Sequence, residues 1–470
     1  MGLRFNDDDY GNKRKIVLIV DNPPRDLEGM TSLAREFAKN DALCFLVSMY
    51  DQSVWMSIIK PTDIIINYYR KNNKKLIEYY RAMGARVYVL DTEGNGGENI
   101  NTFAKELKKE GVDGKVDGYF LWGREQYECF KENRVIFDIN KLHLTGAPRL
   151  DLYTKKYRDY ISPVKFKIRS YILFNTNFPI INPRYNKNTE DNIADRVRAG
   201  DDEVWIRGVA AEAKYIYKKY LEVIEEVATT FKEITIIIRP HPFERREAYD
   251  WVGNQHKNVL VIQEGTTVSW IKNALVLVHL NCATAIEAVV MGKPVIAMEW
   301  FNQPLSVQSI PRIISVNAQN LEDLINKIKI IINSDSKTDY AEQVPGIIER
   351  RYVLDGDSSK RIVAEILKNK LRNKWRSYRL IKQRPKEILR CILGPNMVSK
   401  IKYKFGLVDQ EARNGKTISQ NYVCNVIDNI NVALDDKSCF IINTIKPCHI
   451  TRWYYGEEKY QPITIKVSNE

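Results

Sequence analysis

The chain has no C-x-x-C pair among its seven cysteines and no H-E-x-x-H or comparable spacing among its five histidines. A zinc site of ordinary ligand spacing is therefore not indicated, and the scatter of Cys44, Cys129, Cys282, Cys391, Cys424, Cys439 and Cys448 argues against a disulfide framework. No apolar run approaches the roughly 20 residues needed to cross a bilayer. The opening MGLRFNDDDYGNKRK lacks an apolar signal core, so a cytoplasmic location is expected. G-x-G-x-x-G is absent after the first strand, which removes the dinucleotide-binding fingerprint. No internal sequence repeat is visible.

What is present is ordinary globular composition, with 44% hydrophobic and 28% charged residues over 470 positions. That length exceeds what one core usually supports, so two domains and an addition are expected. The net charge of +13 is concentrated: between residues 366 and 404 thirteen Lys/Arg face one acid, Glu387.

Residues 1–13 are polar and expected to fray. From Lys15, apolar runs alternate with amphipathic stretches: KIVLIV, CFLVSM, DIIINY, RVYVLD, GYFLWG and LHLTGAPRLDLY at 142–153. This alternation predicts a parallel sheet with helices on both faces over 14–160. A polar, aromatic connection at about 154–167 precedes a second start, SYILFN, and a second α/β domain over 168–345. Within this second domain 182–201 reads as irregular, and 203–231 as a long amphipathic helix. A closing C-terminal helix is expected within 346–370, with Asp357-Ser358-Ser359 as its N-cap. Beyond it lie a basic amphipathic segment at 371–405 and an extension at 406–470, whose β-like runs at 439–445 and 463–467 carry no usable motif.

Parallel strands place their ligands just past their carboxyl ends. Arg239-Pro240-His241-Pro242, Glu264-Gly265-Thr266 and Asn281 to Thr284 each follow such a strand and should converge on a nucleotide-sugar phosphate site. Two prolines fix the backbone around His241, so that a ring nitrogen can face a phosphate or carboxylate while Arg239 supplies permanent charge. Asn281 and Thr284 open a helix whose free N–H groups suit an anion, although either is equally well a simple N-cap, and Glu287 stands at capping-box spacing from Thr284. Cys282 has no activating partner and reads as a packing residue.

DNPPRDLEG, YYRKNN, LDTEG, TGAPRLD, LFNTNF, RPHP and DGDSSKRI, in this order over about 15–368, resemble the bacterial surface-carbohydrate biosynthesis proteins, similar in turn to the capsule-type Kdo transferases. The resemblance implies a GT-B glycosyltransferase, with two Rossmann-like domains facing a central cleft and a basic C-terminal extension. It implies a donor of the CMP-sugar class, Kdo or a related acidic sugar, a glycan or lipid-linked glycan acceptor, and no permanently bound cofactor. Donor binding is expected to be metal-independent: the D-x-D letters at Asp355-Gly356-Asp357 precede a helix rather than ending a strand. The donor contacts implied are Asn175, Asn177, Arg239, His241, Glu264, Asn281, Thr284 and Glu287. Glu93 is the implied catalytic carboxylate, at the acid-before-glycine position where the family's loop reads Glu-Asp-Gly, with Asp91 orienting it or serving only as a turn-former. Asp21, Arg25 and Asp26 are implied acceptor contacts.

Tryptophan, tyrosine and aliphatic residues among the charges of 366–404 fit a helix on an anionic membrane surface better than a nucleic-acid arm, so peripheral membrane association and no nucleic acid are expected. Two rivals stand beside the Kdo reading. One is a CDP-glycerol-type glycerophosphotransferase, which shares an RPHP-like loop but usually has a Ser-Asp-Tyr-Ser-Ser-like stretch where this chain has Leu280-Asn281-Cys282-Ala283-Thr284. The other is a non-catalytic GT-B-like scaffold of a polysaccharide assembly complex.

Overall fold

The structure is a computed structural model describing residues 3–4, 13–92, 100–160, 168, 170–199, 201–301, 309–333, 345–371, 415–446 and 461–468. The chain forms two compact α/β units: Met1–Ile161 with Glu349–Glu470, and Ser162–Ile348. The strands are β1 (Leu3–Arg4), β2 (Lys15–Val20), β3 (Leu43–Ser48), β4 (Asp63–Ile66), β5 (Arg86–Leu90), β6 (Gly118–Leu121), β7 (Leu142–Leu144), β8 (Tyr171–Asn175), β9 (Thr235–Arg239), β10 (Val259–Val261), β11 (Ala274–His279), β12 (Val295–Met298), β13 (Val316–Ala318), β14 (Phe440–Lys446) and β15 (Ile463–Val467).

In the first unit β3-β2-β4-β5-β6-β7 are parallel neighbours, and the chain reverses direction across the sheet at β2 and β4. Both faces are buried. Val17 and Ile19 enter one apolar cluster, and Ile16, Leu18 and Val20 enter another, as alternation along a doubly covered strand requires. The second cluster is completed by the helices Pro23–Lys39, Ser358–Leu367 and Gln420–Leu434.

Several expectations change here. The first sheet is mixed rather than parallel: β15 runs antiparallel to β3, and β14 antiparallel to β15. Residues 406–470, unassigned from sequence, thus supply two strands and a helix to the first unit among their described residues. Ile463 and Ile465 are fully buried in its core, which shields the β3 edge. Leu3 and Arg4, expected to fray, pair with β14. The first helix begins at Pro23, because proline is tolerated at a helix start, and this puts Arg25 and Asp26 in its first turn. Within 182–201, expected to be irregular, Thr189–Ala199 is a helix. Asp357 stands at the N-cap of Ser358–Leu367 as expected, but its side chain makes no capping hydrogen bond: the Ser358 N–H donates instead to Asp151 Oδ2 at 2.9 Å.

In the second unit all six strands are parallel, in the order β10-β9-β8-β11-β12-β13. This is the doubly wound order with its reversal between β8 and β11, where α/β sheets place their ligands. Of the basic segment, residues 372–404 lie outside the described residues. Among those described, no helix is long and apolar enough to cross a membrane.

Candidate functional site

The reversal point of the second unit joins two of the loops singled out in sequence. Asn175 ends β8, and its Nδ2 donates to Thr284 Oγ1 at 2.8 Å; two residues on, Asn177 Nδ2 donates to the Asn281 carbonyl at 3.0 Å. Asn175 Oδ1 is buried and accepts no hydrogen bond from the described residues, so it is a polar atom with capacity for a ligand donor. The Tyr220 hydroxyl fixes the Asn175 carbonyl at 2.9 Å.

The loop after β9 is held from beneath by a buried carboxylate. Glu244 Oε1 accepts from Thr176 Oγ1 (2.9 Å), the Phe178 N–H (2.8 Å) and the His241 N–H (3.3 Å), and Oε2 accepts from the Tyr249 hydroxyl. Burial raises the Glu244 pKa while these donors oppose the rise. The Phe243 N–H donates to His241 Nδ1 at 3.2 Å, which leaves Nε2 as the protonated nitrogen of the neutral ring. Half-buried His241 is therefore oriented as a neutral hydrogen-bond donor at the strand end.

Arg239 plays a different part from the one its sequence position suggested. Its Nη1 and Nη2 donate to the carbonyls of Glu264 (2.9 Å) and Gly265 (2.8 Å), so it ties the loop after β10 to β9. The Glu264 side chain is exposed, and its Oε2 accepts the Gln263 N–H at 3.2 Å. The helix start after β11 also differs. The helix is Thr284–Val290 with Ala283, not Thr284, at the N-cap. The N–H groups of Ala285 and Ile286 already bond the Cys282 and Ala283 carbonyls, both at 3.0 Å, so the expected row of free amides for an anion is not there. Glu287 is buried within this short helix.

No family model matches this chain, and no curated protein matches its sequence. Among solved structures it is similar to the Methanocaldococcus jannaschii UDP-GlcNAc 2-epimerase in complex with UDP-GlcNAc and UDP, at 12% identity and TM-score 0.47, over 76% of this chain and 100% of the other. It is also similar to a glycosyltransferase from Rickettsia africae (14% identity, TM-score 0.42, 76% and 100% covered). A third is the wall teichoic acid polymerase TagF with CDPG (12% identity, TM-score 0.44, 76% and 88% covered). Similarities of this size assign neither an activity nor a ligand to the chain.

The first unit gathers its own cluster at the carboxyl ends of β2, β4 and β5. Arg25 Nε donates to Asp26 Oδ1 at 2.7 Å, while its Nη2 reaches Asp21 Oδ2 at 3.5 Å and Thr92 Oγ1 at 3.1 Å. Asp21, Arg25 and Asp26 are thus brought together with Thr92, the residue before Glu93; Glu93 itself lies outside the described residues. Asp91 is buried, and its Oδ2 accepts from Arg70 Nη1 (3.2 Å) and the Tyr119 hydroxyl (3.4 Å). It is an ion-paired strand-end carboxylate. A small depression adjoins this cluster, lined by Asp26, Met30, Asp91, Thr92, Trp122 and Arg149 among others.

Sequence reasoning passed over several residues that shape these edges. Arg149 Nη1 donates to the Thr92 carbonyl at 2.9 Å, its guanidinium lies over the Trp122 ring, and its backbone approaches Gly29 so closely that a Cβ there would sit 2.6 Å away. Arg70 and Arg149 both stood inside motifs noted for resemblance, YYRKNN and TGAPRLD. His279 is fully buried at the end of β11, with Nε2 2.9 Å from Ser315 Oγ and Nδ1 accepting the Cys282 N–H at 3.2 Å. Burial pushes its pKa down to about 3, so it braces the Leu280–Thr284 loop as a neutral ring. Only Glu244 had a visible signal, three residues after His241 in RPHPFE.

Proposed function

We propose that the protein is a GT-B glycosyltransferase of surface polysaccharide synthesis, transferring Kdo or a related acidic sugar from a CMP-activated donor to a glycan acceptor. The observation that carries this reading is the Asn175–Thr284 and Asn177–Asn281 junction at the reversal point of the second sheet, beside a braced His241. A site of side-chain amides and one neutral imidazole suits a nucleotide sugar: the amide NH₂ groups and His241 can donate to phosphate or a sugar carboxylate, and Asn175 Oδ1 can accept from a ribose or sugar hydroxyl. Arg239, Glu264 and Glu287 then shape the donor site. Asp21, Arg25 and Asp26 serve the acceptor, Glu93 is the catalytic carboxylate, and Asp91 orients its loop.

The test is a thermal-shift series with CMP, CDP, UDP and GDP, followed by glycan analysis of His241→Ala and Glu93→Gln. Stabilisation by CMP and loss of product in both variants are expected. Stabilisation by UDP or GDP alone would sink the CMP-sugar assignment, a response to CDP with glycerol phosphate product would select the glycerophosphotransferase, and unchanged glycan from both variants would select the scaffold.

The basic segment is proposed to bind anionic membrane, each Lys or Arg near the surface contributing about 1 kcal/mol. Truncation before it would also remove β14 and β15, so the appropriate variant exchanges Lys/Arg for Gln within 372–404 in the full chain. Undiminished co-sedimentation of that variant with anionic vesicles would defeat the anchor.

A further inference from the structure

The carboxyl-terminal segment does more than cover a sheet edge. Gly415 to Gln420 leads into the helix Gln420–Leu434, which packs on Pro23–Lys39 through Ile427 and Val423 and through polar ties. Arg35, buried in the first helix, donates from Nε to Asn431 Oδ1 at 2.7 Å and pairs with Asp436, and the Tyr422 hydroxyl bonds Glu28. Ile418 is buried in the same core. Between Gly415 and Ile418, this anchored segment carries Lys416 to the carboxyl end of β2, where its Nζ meets Asp21 Oδ1 at 2.9 Å with its side chain 8% exposed. Asp21 Oδ2 faces Arg25 Nη2, which also donates to Thr92 Oγ1. A four-member chain, Lys416–Asp21–Arg25–Thr92, therefore runs from the last segment of the sequence to the residue before Glu93.

We infer that Lys416 is a positioning residue of the first unit's site. The physical reason is competition for one guanidinium nitrogen. With Lys416 engaging one oxygen of Asp21, the Arg25 contact to the other stays long, at 3.5 Å, and Nη2 serves Thr92 at 3.1 Å and Asp26 Oδ2 at 3.2 Å. Without the ammonium, Asp21 keeps Arg25 as its cation, and Nη2, whose tie to Asp26 is backed by the Nε contact, gives up the neutral Thr92 hydroxyl rather than a carboxylate. Residues 415–446 and 461–468 are on this account part of the working domain, and Lys416 is the residue through which they act on the site.

Two measurements test this, and the part concerning transfer rests on the proposed function whereas the other does not. A double-mutant cycle of Lys416→Met and Thr92→Val, read by urea unfolding of the full chain, should be non-additive by at least about twofold in the unfolding constant, although the two side chains do not touch. In acceptor kinetics, Lys416→Met should lower kcat/KM for the acceptor by about tenfold, the scale of one charge-assisted contact. Lys416→Arg should restore most of it, and stabilisation by nucleotide should be unchanged in both. Additive unfolding effects would overturn the chain of contacts whatever the substrate is. Unaltered acceptor kinetics in an active Lys416→Met enzyme would overturn its role in the site, and failure of Lys416→Arg to rescue a loss would reduce it to packing.

Discussion

Replacing Asp151 by Asn should stabilise the first unit above neutral pH and leave it unchanged in acid. Asp151 is 1% exposed, its Oδ2 accepting the Ser358 N–H at 2.9 Å and its Oδ1 lying 2.7 Å from Ser358 Oγ. Burial raises its pKa to about 7; the Ser358 contacts and Arg361 lower it and only partly offset the desolvation. An unfolded aspartate titrates near 3.9, so the folded state holds the proton more tightly by about three pKa units, on the order of 4 kcal/mol. That contribution is fully present below about pH 4, declines as the unfolded chain ionises, and is lost once pH passes about 7. Asparagine reproduces the protonated pattern, its oxygen accepting from Ser358 N–H and its NH₂ donating to Ser358 Oγ, but it does not titrate. Urea unfolding of both proteins between pH 4 and 8, followed through the first unit's transition, should give a gap in favour of Asp151→Asn that opens from near zero to a plateau on the order of 4 kcal/mol. A pH-independent gap, or a less stable variant at pH 8, would refute the reasoning.

Gly146→Ala should destabilise the same contact from its other side: Gly146 has φ of +79°, and a Cβ there would lie 2.4 Å from Ser358 Oγ and 3.0 Å from the Val353 carbonyl, so a loss of at least about 2 kcal/mol is expected in the urea midpoint. Glu244→Gln places an NH₂ group among hydrogen-bond donors, and should cost about 1–3 kcal/mol in the second unit's unfolding while weakening stabilisation by nucleotide; retained nucleotide response would separate the Glu244 brace from the binding edge. Truncation after residue 371 removes β14 and β15, bares the β3 edge and strips Arg35 of Asn431 and Asp436, so size-exclusion chromatography should find aggregate where the full chain, or one with charges neutralised in 372–404, stays dispersed.

Strand and helix periodicity is local, and it was enough to recover the order of β2 to β11 and to place Asn175, His241 and Asn281 at strand ends. Apolar runs buried on both faces, each followed by a polar loop and a helix, call for parallel strands covered by helices on both sides. What eluded sequence were contacts made at long range. Asp151 and Ser358, 207 positions apart, stood in two motifs whose joint meaning is a single buried hydrogen-bonded pair. Arg239 kept its predicted place but, buried at the strand end, spends its guanidinium on the backbone carbonyls of Glu264 and Gly265. The run ITIKV at 463–467 signalled a strand without a partner, since pairing with β3 depends on where the folded chain brings it and on no local pattern. The sequence alone therefore determined the two α/β units and the strand-end identity of the candidate residues. The tertiary structure decided which of those residues are already engaged by neighbours, and that the last segment of the chain, through Lys416, belongs to the first unit's site.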